Sequence, residues 1–107
     1  MATGRLYTPA AISATTPTPV YTVPTGYYTV LNVSFTNTNA TSVTIRLAIA
    51  TTTSPSTQEY IEYDTVIVGK GVFERTGLVI NAGLNVVVYN SNTGVNVNVY
   101  GIETSTT

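Results

Sequence analysis

The chain of 107 residues has no cysteine, no histidine and no tryptophan, and only 4 basic and 5 acidic side chains. Each absence narrows its chemistry. Without cysteine there is no disulfide framework and no thiolate metal site. Without histidine the commonest general acid/base and the commonest metal ligand are missing, and a Ser-His-Asp triad is impossible within this chain. Charged residues make up 8% of the chain, against about 25% in an ordinary soluble domain. A net charge of −1 gives no long-range attraction to nucleic acid or to an anionic membrane. So little charge also leaves little repulsion between copies, which favours a subunit built into an assembly. No apolar run approaches the roughly 18 residues of a membrane helix. The start, MATGRLYTPAAIS, lacks the apolar stretch of a secretion signal. The chain is therefore expected to be soluble and unprocessed.

What is present is neutral polarity from Thr, Ser and Asn, together with many β-branched residues, which favour strands over helices. The length suits one domain with one core. Pro9, Pro17, Pro19 and Pro24, four of the five prolines, fall in the first quarter. Each fixes φ and removes a backbone donor, which excludes helix interiors and central strands. Residues 1–19 thus read as an extended arm or edge segment, with a short strand around Val20–Val23. An arm of this kind can lie on a neighbouring subunit.

After Gly26 the pattern alternates. Thr29, Leu31, Val33 and Phe35 point one way, and Val43, Ile45, Leu47 and Ile49 do the same in the next strand, leaving Thr44, Arg46, Ala48 and Ala50 opposite. NTNAT at 37–41 is turn chemistry and TTTSPSTQ at 51–58 an exposed polar loop. Further turns fall at GKG (69–71), NAG (81–83) and SNTG (91–94), and Val95, Val97 and Val99 face inward in the last strand. Turn signals every 8–12 residues or so mark an all-β chain. The expected fold is a single antiparallel β-sandwich or jelly roll of seven to eight short strands over residues 20–103, with 104–107 as a tail.

Six of the nine charged residues sit in EYIEYDTVIVGKGVFERT, residues 59–76. This stretch reads as a strand, a tight GKG turn and a return strand: a hairpin. Glu62 and Asp64, two apart, would share a face. A carboxylate pair can serve glycoside hydrolysis or bind Ca²⁺, but no cleft or ligand series accompanies them, and pairing across the hairpin accounts for them better. Arg75 would then approach Asp64 or Glu62. GKG lacks the rest of a phosphate loop. Eight tyrosines suit sheet packing and interfaces. Arg5, Tyr7, Tyr60, Glu62, Asp64, Glu74 and Arg75 are candidate interface residues. No catalytic set, metal site or cofactor is expected.

Y-T-V-P near the start, the V-T-I-R-L-A strand, E-Y-I-E-Y-D, G-V-F-E-R-T-G-L, the A-G turn and the final V-N-V-Y-G-I-E resemble a family of small β-rich virion proteins of tailed phages, especially phages of cyanobacteria. The resemblance runs from about Val20 to Glu103. It implies a non-enzymatic structural protein of the virion, assembled in the host cytoplasm. The specific expectation is a capsid cement or decoration subunit, a homo-oligomer and most simply a trimer, bridging the major capsid protein or other virion proteins, with no nucleic-acid or membrane partner. A tail, neck or fibre component that binds host glycan is the alternative. A carbohydrate-binding module or hydrolase would need a pair among Glu59, Glu62, Asp64, Glu74 and Glu103.

Overall fold

The computed structural model describes residues 3–7 and 12–106. Eight strands run through them: β1 (Thr3–Tyr7), β2 (Thr18–Thr22), β3 (Tyr27–Asn37), β4 (Val43–Ala50), β5 (Tyr60–Ile67), β6 (Val72–Asn81), β7 (Asn85–Asn90) and β8 (Val95–Ser105). They form two four-stranded antiparallel sheets, ordered β1-β8-β3-β6 and β2-β7-β4-β5. Successive strands alternate between the sheets everywhere except at β4–β5. That winding is the jelly-roll order, so the expected all-β sandwich is realised in its jelly-roll form. The only helical turn among the described residues is a 3-10 turn at Thr57–Glu59.

The alternation in the sequence becomes the core. Leu31, Val33 and Phe35 of β3, Val43, Ile45 and Leu47 of β4, Val86 and Val88 of β7, and Val95, Val97 and Val99 of β8 meet between the sheets. Removing a Val, Leu or Phe side chain from water in this way contributes about 1.5–3 kcal/mol each. The two central ladders are regular: β3 and β8 pair through eleven consecutive residues, and β4 and β7 through six. β8 runs past Glu103, placing Thr104 and Ser105 opposite Tyr28 and Tyr27.

The outer strands differ. Each of the four edge pairings contains a register shift: at Arg5/Tyr7 in β1, at Pro19/Tyr21 in β2, between Leu31 and Val33 opposite β6, and on either side of Leu47 opposite β5. In β6 the extra residue falls near Gly77, whose φ is 69° and whose N–H donates to Asn32 Oδ1 at 2.9 Å. Bulges twist an edge away from the flat geometry that would template another strand.

The hairpin expected around GKG does not form. β5 pairs with β4 and β6 pairs with β3, so the segment crosses from one sheet to the other. The turn is tight, with Gly71 N–H donating to the Val68 carbonyl. It docks onto the β3–β4 loop rather than closing a ladder. A Cβ on Gly69 would lie 2.1 Å from the Ala40 carbonyl oxygen, so no side chain fits there. Asn37, fully buried at the end of β3, organises both crossovers. Its amide nitrogen lies within hydrogen-bonding distance of the Thr41, Ile67 and Val68 carbonyls at 2.9–3.1 Å, and its Oδ1 accepts from the Asn39 N–H. The preference for the crossover is thus written in Asn37 and Gly69, not in the strands that flank the turn.

Candidate functional site

The carboxylates of β5 are separated by the backbone itself. Asp64 has φ 54°, in the left-handed region that Asp tolerates better than most residues. This lies within the irregular β4–β5 ladder, where Ile45 opposes Thr65 but Leu47 opposes Glu62. Period-two alternation fails across such a bulge, so Glu62 and Asp64 do not work together as one face of a strand. Glu62 accepts from Arg75 Nη1 at 2.5 Å and from Thr65 Oγ1 at 2.7 Å. Arg75 belongs to β6 of the other sheet, so this ion pair ties the two sheets along one open side of the sandwich. Asp64 takes a different arginine, Arg46 of β4, at 2.7 Å to Nε and 3.3 Å to Nη2.

Arg46 is the centre of a stack on the outer face of the second sheet. Its guanidinium carbon lies 4.0 Å from the Tyr63 ring centroid and 4.4 Å from that of Tyr89. Tyr89 is its direct cross-strand neighbour in β7. Tyr60 meets Tyr63 edge to face, with centroids 5.2 Å apart. The hydrogen bond that Arg46 donates to Asp64 raises the Arg46 pKa further above its ordinary value. Each cation–π contact at an exposed site contributes about 0.5–1 kcal/mol. Beside this stack Tyr60 covers Ala48, Ala50 and Val87, a small second cluster outside the main core. The side of β4 that the sequence pattern assigns away from the core is therefore buried at two of its four positions.

The remaining acids are each held separately. Glu59 accepts from the backbone N–H groups of Ser56 and Thr51, which lower its pKa and close the 51–59 loop. Glu74 accepts from the Tyr100 hydroxyl, which raises the tyrosine pKa. Glu103 is buried and accepts from the Tyr21 hydroxyl at 2.5 Å, and that hydroxyl also meets Thr29 Oγ1 at 2.9 Å. Burial, then the bond to Glu103, pushes the Tyr21 pKa up to about 12. This group spans both sheets, because Tyr21 is on β2 and its partners are on β3 and β8.

Of the candidate interface residues, Glu62, Asp64 and Arg75 are drawn into two intrachain ion pairs. Tyr60 is a cover for the second cluster, and Tyr7 packs half-buried against the main core. Arg5 and Glu74 stand exposed on strands at opposite edges of the first sheet. Arg46, Tyr63 and Tyr89 were not singled out by the sequence pattern. The available signal was a lone arginine on the second face of an otherwise apolar strand. Among the described residues no pocket opens on the surface, and no group of three or more acidic residues gathers as a metal site. No family model, curated protein or solved structure matches the chain.

The outer face of the first sheet is the contrasting surface. Tyr28, Val30, Val72, Val79, Tyr100 and Ile102 are six of the ten exposed large apolar residues among those described, and all six project from it. Val79, Val30 and Ile102 are direct neighbours across β6, β3 and β8, and Val79 is 71% exposed.

Proposed function

We propose that this protein is a structural subunit of a tailed-phage particle, acting as a capsid cement or decoration protein. The observation that carries the reading is the in-register apolar row on the first outer face, on a sandwich in which four of the nine charged side chains are paired with one another. An exposed apolar row of this kind marks a protein-contact surface. The jelly roll is an architecture that viral coat domains share with lectins, so it is compatible with the role without assigning it. The motif resemblance from Val20 to Glu103 supplies the virion. In this role the protein works as a homo-oligomer that bridges copies of the major capsid protein. It resists internal pressure by buried area rather than by chemistry, and needs no cofactor, nucleic acid or membrane.

Removing the protein from purified particles tests this. Stripped heads should burst at lower temperature or milder osmotic shock, and adding the protein back should restore them. Unchanged resistance, with the protein found only on the tail, would sink the cement role. The Tyr60–Tyr63–Arg46–Asp64 surface favours one second reading: a tail or fibre component that binds host glycan, since an aromatic beside a charged pair suits sugar stacking and hydrogen bonding. Binding of the isolated protein to host lipopolysaccharide, lost in Tyr63→Ala, would select that reading.

A further inference from the structure

We infer that the outer face of the first sheet packs against the same face of a second copy, across a two-fold axis that runs along the strands between β8 and β3. The inference concerns this surface alone and holds wherever on a particle, or off it, the protein sits.

Three features of the face fit a self-complementary contact. The first is the row of residues at one level of the sheet: Thr3, Ile102, Val30 and Val79, in the order β1, β8, β3, β6. A two-fold axis along the midline exchanges left and right at constant height. It lays Ile102 of each copy over Val30 of the other, and Val79 over Thr3. An in-plane axis across the strands at the level of Asn32 and Tyr100 would turn the apolar row onto Ser34, Asn98 and Glu74, whereas one at the level of the row would stack it on itself. The apolar row is thus compatible with either axis, and the charged residues separate the two.

The second feature is charge. Arg5 and Glu74 are the only charged side chains that the described strands send to this face, and they lie on opposite edge strands. Arg5 sits at the level of Tyr100, and Glu74 at the level of Asn98, two residues further along. That offset is about 7 Å along a strand, within the reach of an arginine side chain. The axis along the strands brings Arg5 of one copy to the β6 edge of the other, twice over. Arg5 makes no ion pair within the described residues.

The third is area. The four strands β1, β8, β3 and β6, of 5, 11, 11 and 10 residues, cover about 600 Å² in the plane of the sheet. A standard stable interface takes about 800 Å² from each partner. Two sheets packed face to face at about 10 Å bury side chains of this size well. An isologous contact also closes on itself, as most homodimers do.

Sedimentation equilibrium from about 1 to about 100 μM tests the inference, with melting curves to confirm that each variant is folded. The native chain should be a dimer at the upper end. Val30→Lys should weaken association by roughly a hundredfold and Arg5→Glu by roughly tenfold, while Arg5→Glu with Glu74→Arg should recover most of that tenfold. A monomer at about 100 μM, a trimer, or a dimer indifferent to Val30→Lys would overturn it. A particle-location experiment cannot rescue or remove this result, so its failure and that of the virion role are separable.

Discussion

On the outer face of the second sheet, Arg46 is held between two tyrosine rings and fixed by Asp64, with Tyr60 covering two alanines and a valine beside it. On the outer face of the first sheet, Val79, Val30 and Ile102 lie side by side and open to water. The second face has tied its charge to itself, although Tyr63 and Val66 of β5 stay exposed on it. The first keeps a continuous apolar row open, with Arg5 in no ion pair among the described residues and Glu74 bonded to the Tyr100 hydroxyl. The two faces belong to one sandwich with one core, so the difference lies in the outward positions alone. It teaches that the concentration of charge in residues 59–76 marks where the molecule is internally tied, and that the continuous apolar row lies where few charged residues stand.

Substitutions should separate what is shared by the faces from what is not. The largest effect is expected at the seam that serves both sheets: Asn37→Ala removes the partner of several buried carbonyls and should cost about 2–4 kcal/mol in denaturant unfolding. On the second face, Tyr60→Ala uncovers Ala48, Ala50 and Val87 and should cost about 2 kcal/mol. Arg46→Ala should cost about 1–2 kcal/mol, and Arg46→Lys should recover little, because lysine cannot reproduce the two-point contact with Asp64. On the first face, Val79→Ser should change the stability of the monomer by less than about 0.5 kcal/mol, while weakening association. A cost at Val79 equal to that at Tyr60 would erase the distinction between the faces.

The Tyr21 hydroxyl adds a pH test that neither face shares. Its pKa is raised in the folded chain to about 12 from 10.0. The folded state therefore holds this proton more tightly than the unfolded state. The associated stability is fully present below about pH 10 and is lost as pH rises toward about 12. Tyr21→Phe should reduce that alkaline loss, although it also lowers stability at neutral pH by removing the bonds to Glu103 and Thr29. Denaturant curves at several alkaline pH values read both effects.

Much of the architecture was legible in the sequence, because period-two alternation reports directly on which side of a strand is buried. Leu31, Val33 and Phe35, and then Val95, Val97 and Val99, are in the core where their spacing puts them. Alternation says nothing about which strand lies alongside. GKG reads as a hairpin bend because consecutive strands usually pair, yet the decisive groups, Asn37 and Gly69, act through a loop that is distant in sequence. Among the described strands, the 51–59 loop is the one connection that joins a consecutive pair, β4 and β5, within one sheet. The bulge at Asp64 was equally hidden, since aspartate is also an ordinary surface residue and its φ of 54° leaves no mark in the pattern. Of the interface candidates, which combined tyrosines with charged residues, Glu62, Asp64 and Arg75 are paired within the chain. Arg5 and Glu74 were the two of that set left on the open face.

Hydroxyl-radical footprinting of the tyrosines tests the contrast between the faces most directly. Tyr28 and Tyr100 report on the first face and Tyr63, 54% exposed, on the second. Comparing dilute with concentrated protein, the account predicts that labelling of Tyr28 and Tyr100 falls on association while Tyr63 is unchanged. Protection of Tyr63 with Tyr28 and Tyr100 still fully labelled would contradict it.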